Sequence, residues 1–326
     1  IGTVFFAGVH DFGALWASSR HKGKSIGALS EDVIGKRTRA LFMVVIFLVL
    51  LMVNAVFGVV IAGAFVNTPN AVFPAWSAIV VALIIGQLLH RNVNLTLLSI
   101  LGVMALYFSI YVGSIMPIEL PTGLFGLTSN ANWIIILFIY AAIASMLPVW
   151  VLLQPRDFIN GMQLFVGLFL LYSAVLLSLP DISAPAFNNS MTEDAPSLVP
   201  LLFVTIACGA VSGFHGIVSS GTSSKQLDKE TDARFVGYFA ALGEGSLALI
   251  TIVAVSGAAL AATPEIWHEI YDKYGSAGAG TFIQGGAQLI TNGWGIPIGI
   301  STTLLATMVA LFAGTTMDSG VRLQRY

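Results

Sequence analysis

The sequence has 326 residues, of which 56% are hydrophobic and only 9% charged, with a formal net charge of −2; its mean hydropathy is +0.88. A soluble globular domain carries about 25% charged residues. A chain this poor in charge cannot clothe itself in a water-facing surface, so a soluble globular fold is excluded and lipid is its main solvent.

Continuous apolar stretches of about 18 residues or more can each cross a hydrocarbon core of about 30 Å as a helix. The short alternating segments of a transmembrane β-barrel are not the pattern here. In chain order the stretches lie near 1–19, 40–66, 71–89, 95–116, 132–153, 158–179, 198–219, 235–262 and 296–315. They predict an all-α polytopic membrane protein with about nine transmembrane helices. The chain opens on Ile1 inside an apolar segment and stops at Tyr326 beside a helix, so a fragment of a longer protein is expected.

The connections alternate in charge. Those near 20–39, 90–94, 154–157, 220–234 and 316–326 hold thirteen of the fourteen Lys and Arg residues; the others hold only Lys273. Short basic loops stay in the cytoplasm, which orients the chain and places Arg20, Arg156, Asp157, Lys225 and Arg322 on the cytoplasmic side. Within 25–35, Ile26, Leu29, Val33 and Ile34 recur at helical spacing, predicting a short helix on that interface. The long connection 263–295 opens with "TPEIWHEIYDKYG", a helix signal between Pro264 and Gly275; an ordinary surface helix is the plainer reading and a lid the other.

Ionisable residues within the apolar stretches carry the functional signal, because a charge at mid-bilayer costs at least ~2.5 kcal/mol. His10 and Asp11 come first. Asp11 is nine residues from Arg20, roughly 13 Å along a helix, and Ala7, Gly13, Ala14 and Ala17 share the face around His10. Small residues admit a neighbouring helix, so the pair faces protein. It either knits helices together or lines a substrate or proton path, and the residues leave both open.

His215 follows, in "ACGAVSGFHGIVSSGTSSKQ", where Gly209, Gly213, Gly216 and Gly221 weaken a continuous helix. A discontinuous helix would free backbone groups to bind ions or a carboxylate; a tightly packed Gly-rich helix is the alternative. Ser219 and Ser220 sit at its basic end. The segment shares a small-Gly-x-His core and paired serines with "AGVHDFGALWASS", a likeness too weak to carry an argument. Glu244 is ten residues beyond Arg234, on a face with Gly237, Ala240, Ala241 and Ala248. A carboxylate there can take up and release a proton or pair with a substrate amine, although a hydrogen-bonded structural acid would look the same. Asp318 lies four residues before Arg322, and an i,i+4 pair at a helix end accounts for it; Gly314, Thr315 and Thr316 would allow the helix to break just before it.

Other chemistry is sparse. There is no Walker-type phosphate loop, so ATP-driven transport is not expected. The five histidines show no metal-ligand spacing and Cys208 has no cysteine partner, so neither a metal nor another cofactor is expected. Nothing points to nucleic acid. An intramembrane enzyme in which His215 activates Ser219 is a second reading, but it lacks a visible oriented base and oxyanion site. A non-transporting nutrient sensor is a third, disfavoured by the short cytoplasmic loops.

Four segments, "FAGVHDFGALWASSRHKGKSIG", "LLQPRDFIN", "SGFHGIVSSGTSSKQL" and "TTMDSGVRLQRY", resemble in order the signature segments of the carbon starvation protein A family of bacterial inner-membrane transporters. The resemblance spans nearly the whole chain. It implies an APC/LeuT-like inverted-repeat bundle with broken helices, and a secondary transporter that takes up peptides or pyruvate, with protons. It also implies further helices before and after this core. By motif, the polar signature positions are His10, Asp11, Arg20, His21, Gln154, Arg156, Asp157, His215, Ser219, Ser220, Lys225, Asp318 and Arg322. Glu244 stands outside the close matches and rests on its depth alone. The candidate substrate or proton path is thus His10, Asp11, His215, Ser219, Ser220, Glu244 and Asp318.

Overall fold

A computed structural model of the chain describes residues 2–121, 126–184, 199–200, 203–259 and 278–325, and among these all regular structure is helical. A π-helical turn, Thr3–Ala7, leads into α1 (Gly8–Arg20). There follow α2 (Ile26–Val33), α3 (Lys36–Asn67), α4 (Val72–His90), α5 (Leu95–Ile115), α6 (Ser129–Met146) and α7 (Leu153–Ser178). Then come α8 (Phe203–Ala210), α9 (Gly213–Gly221), α10 (Asp232–Val253), which continues as a π-helix over Ala254–Ala259, α11 (Ala279–Trp294) and α12 (Ile298–Arg325).

Among the described residues, seven helices are long and apolar enough to cross a membrane: Lys36–Asn67, Pro69–His90, Leu95–Ile115, Ser129–Met146, Leu153–Ser178, Asp232–Gly257 and Ile298–Arg325. They coincide with seven of the expected spans. The stretch near 1–19 forms the π-turn and the thirteen-residue α1. The stretch near 198–219 is interrupted at Val211 and Ser212, between α8 and α9. The glycine-rich discontinuity read from the sequence is therefore present. Ser212 caps α9, its hydroxyl accepting from the His215 backbone N–H at 3.4 Å, which replaces one bond lost at the break.

Helix faces are sorted as a lipid solvent requires. On α5 the outward residues are large and apolar, with Met104, Phe108 and Ile115 at least 62% exposed. Its inward face carries Gly102, Ser109 and Gly113, where a methyl on Gly113 would fall 2.5 Å from the Asn70 carbonyl oxygen. Without a hydrophobic drive between helices in lipid, small residues bring backbones close enough for dispersion to hold them.

The chain divides into two compact units, each described by itself: Ile1–Val53, Ala195–Leu249 and Leu323–Tyr326 in one, Asn54–Asp194 and Ile250–Arg322 in the other. In the first, α1 packs on α9 and α2. A methyl on Gly237 of α10 would lie 2.7 Å from the Phe12 backbone nitrogen, so α10 and α1 meet with backbone against side-chain-free backbone. In the second, Ile61, Phe65, Trp133, Leu137, Ala310 and Met317 form an apolar core, with Phe65 and Trp133 edge to face at 5.0 Å between centroids.

Four expectations about local structure are corrected, and one is met. The short interfacial helix forms as α2, with Leu29 buried and Val33 and Ile34 exposed. The connection 263–295, by contrast, contains the sixteen-residue α11, which packs on α7 and on the π-helical end of α10. Its Gln284, Gln288 and Asn292 dilute the apolar signal, and its inner face relies on Gly285, Gly286 and Ala287. The "TPEIWHEIYDKYG" segment lies outside the described residues. Arg156 and Asp157 are not in a loop: α7 begins at Leu153 and carries both close to its start. Arg322 is likewise helical and buried. Nor does α12 break at Gly314–Thr316, because Gly314 sits against the Arg156 guanidinium and the helix runs on to Arg325.

Candidate functional site

The first unit gathers four ionisable side chains from three helices. Asp11 on α1 is buried, with a side chain 6% exposed. Its Oδ1 lies 2.9 Å from His10 Nδ1 and its Oδ2 lies 3.1 Å from His215 Nδ1 on α9. Glu244 on α10 is next, with Oε2 at 3.5 Å from His215 Nδ1. That oxygen is buried and has no hydrogen-bond partner within normal geometry. Two imidazoles and two carboxylates thus share one polar spot, with both histidine side chains about a third exposed (34% and 35%). Glycine makes the approach possible: a methyl on Gly216 would come within 2.9 Å of His10 Cε1. The two segments of weak sequence likeness are brought together, and their histidines meet at one aspartate.

Glu244 is twelve residues from the start of α10, roughly 18 Å along the helix axis at 1.5 Å per residue. A carboxylate that far into a spanning helix persists only with partners or with a role. Among the described residues, no group of three or more His, Cys, Asp or Glu could hold a metal ion.

The serines below the cluster have other partners. Ser220 is fully buried; its hydroxyl donates to the Gly216 carbonyl at 2.8 Å and accepts from the Ile26 backbone N–H at 3.0 Å, which pins the start of α2. Ser18 Oγ lies 2.8 Å from the Ser220 carbonyl and from Ser224 Oγ. Ser219 is buried on α9, and the His215 ring points to the two carboxylates instead. At the rim, Arg20 pairs with Glu230 at 2.6 Å and stacks over Trp16 at 4.5 Å, His21 Nδ1 meets the Ala17 carbonyl at 2.8 Å, and Lys225 covers Gly23.

Asp318 belongs to a separate network in the second unit. Its Oδ2 receives Arg156 Nη1 at 2.6 Å and the Tyr140 hydroxyl at 2.8 Å, and Arg156 Nη1 is 2.5 Å from that hydroxyl. Both ion-pair side chains are 4% exposed. The expected i,i+4 partnership with Arg322 does not form: Arg322 Nη2 donates to the Ala144 carbonyl at 3.1 Å. Direction decides this, because the equally buried Arg322 guanidinium is turned to the Ala144 carbonyl while that of Arg156 reaches the carboxylate from α7. Asp157 is exposed beside Arg156, and Gln154 is exposed in the same turn. Tyr140 was not anticipated, and no spacing ties it to Asp318. The buried amides Asn160 and Gln163 were also missed, although with Arg156 they recur at i, i+4 and i+7 on one face of α7, a signal the sequence does hold.

Long apolar spans with charge buried among them define a polytopic helical membrane protein. The chain belongs to the family described as carbon starvation protein CstA, which it matches over residues 1–326. It is 32% identical to the peptide transporter CstA of Campylobacter jejuni over 91% of this chain and 42% of that protein. It is 34% identical to the pyruvate/proton symporter BtsT of Escherichia coli over 78% of this chain and 36% of that protein. The likeness to the peptide transporter CstA of Bacillus subtilis is 29% identity over 100% of this chain and 59% of that protein. The chain therefore spans between 36% and 59% of the length of these three relatives. No solved structure matches it.

Proposed function

We propose that this chain is the core of a secondary transporter of the bacterial inner membrane that takes up peptides or a small carboxylate such as pyruvate together with protons. Two relatives support the reading, one named as a peptide transporter and one as a pyruvate/proton symporter. The observation that carries it is the carboxylate–imidazole cluster: Asp11 between His10 and His215, with Glu244 3.5 Å from the same His215 nitrogen. Histidine and a desolvated carboxylate are the side chains that exchange protons near neutral pH. Asp11 holds both rings in place, and Glu244 and His215 exchange the proton between them. The Gly213 and Phe214 backbone N–H groups, which open α9 after the break at Ser212, are donors for a substrate carboxylate. The basic loop ends face the cytoplasm, and lipid surrounds the spans. An enzymatic role is disfavoured, since His215 is engaged by two carboxylates and not by Ser219.

The test uses the full-length protein in proteoliposomes with labelled di- and tripeptides and labelled pyruvate. Glu244→Gln is expected to abolish uptake driven by a pH gradient while counterflow, which needs no net proton movement, persists. Gradient-driven uptake at the wild-type rate in that variant would remove Glu244 from the coupling step. Counterflow with only one substrate class decides between peptide and pyruvate.

A further inference from the structure

The second unit contains buried polar atoms that the proton cluster does not use. Along one face of α7 stand Arg156, Asn160 and Gln163, and all are at most 4% exposed. On α12, Asp318 bonds to Arg156 and the Leu311 carbonyl to Asn160, and Thr307 is buried one turn before Leu311 on the same helix face. The antiparallel register is fixed at three points. Gly314 lies against Arg156, Asn160 Nδ2 donates to the Leu311 carbonyl at 3.3 Å, and a methyl on Gly167 would meet Met308 Sδ at 2.8 Å. Gln163 falls between the last two points, and Thr307 stands one residue beyond Met308.

Six side-chain atoms on this seam have no partner: Arg156 Nε, Asn160 Oδ1, both amide atoms of Gln163, Thr307 Oγ1 and Asp318 Oδ1. Thr307 is fully buried and Gln163 is 1% exposed. Buried polar atoms in native proteins are nearly always bonded, and in a lipid-solvated protein bulk water cannot reach them. The unpaired set is mixed. Arg156 Nε and Gln163 Nε2 only donate, the amide and carboxylate oxygens only accept, and Thr307 Oγ1 does both. A cation would serve the acceptors alone and would be repelled by Arg156; an anion would serve the donors alone. Water both donates and accepts, and buried waters typically make about three bonds to such groups.

We infer that the α7–α12 seam is a water-binding site, a file of ordered water running from the Arg156–Asp318 pair to Gln163 and Thr307. The water completes the hydrogen bonding of the ion pair and gives this unit a polar path along the helices that the apolar core beside it lacks.

The test is hydroxyl-radical footprinting of the full-length protein in nanodiscs, with radicals generated by X-ray radiolysis of the water present. Two buried methionines of α12 give an internal comparison: Met308 borders the seam, whereas Met317 lies in the apolar core with Ile61 and Phe65. Met308 is expected to oxidise at least several-fold faster than Met317. Equal protection of both overturns the proposal. A second measurement is independent of radical chemistry. If the seam were dry, Thr307→Val would remove an unsatisfied hydroxyl and raise the melting temperature. If it is wet, the same change strips a water of a partner, and the melting temperature falls or stays level. A clear rise overturns the proposal.

Discussion

Arg156 and Asp318 are 162 positions apart in sequence and 2.6 Å apart in space, an ion pair closed off from solvent. Removing one member leaves the other charged and dehydrated, which costs about 3–5 kcal/mol. Asp318→Ala is therefore expected to lower stability by that order, read as a large drop in thermal denaturation midpoint in detergent. Replacing both residues with apolar ones, as in Arg156→Met with Asp318→Leu, is expected to recover most of the loss. If the double variant is as unstable as the single one, the pair is not what holds α7 to α12.

A second prediction concerns backbone approach around the proton cluster. A methyl on Gly237 would sit 2.7 Å from Phe12 N and 2.8 Å from its Cα, and backbone cannot step aside. Gly237→Ala is expected to destabilise by about 1–3 kcal/mol, the usual penalty for overpacking. Gly13→Ala one helix face away meets nothing within 4 Å and is expected to be neutral or slightly stabilising. Equal melting temperatures for the two variants would contradict the α1–α10 packing described above.

The cluster also predicts a coupling between histidines that are far apart in sequence. Asp11→Asn keeps the shape but removes the charge to which both rings are bonded, at a cost of about 1–3 kcal/mol. In a double-mutant cycle, His10→Ala and His215→Ala are expected to be non-additive in the wild-type background and additive in Asp11→Asn. Thermal stability and gradient-driven uptake both report on it.

At the surface, the Lys24–Asp32 ion pair at 2.7 Å ties the entry of α2 to its last turn. The hydrogen bond and charge of Lys24 hold the Asp32 carboxyl below the ordinary carboxylate range. A depressed acid stabilises the folded form above its unfolded pKa of about 4 and loses that contribution as pH falls through the lowered value. Amide exchange in α2 is expected to quicken below pH 4 relative to the intrinsic rate. Asp32→Asn should abolish the difference, and high salt should blunt it.

Composition and the spacing of apolar runs determined the class of this protein, because a helix must be long and apolar to satisfy its backbone in lipid. The same letters, through the glycines on either side of His215, offered the break as one of two readings, and they marked Asp11 and Glu244 as acids within apolar stretches. Only the tertiary structure decided who pairs with whom. Asp318 has Arg322 one turn away yet binds Arg156 from another helix, and His10 and His215 converge on Asp11 across 204 positions. Such contacts are fixed by which faces small residues allow to meet, and that depends on every helix at once. Spacing along one helix carries none of that information.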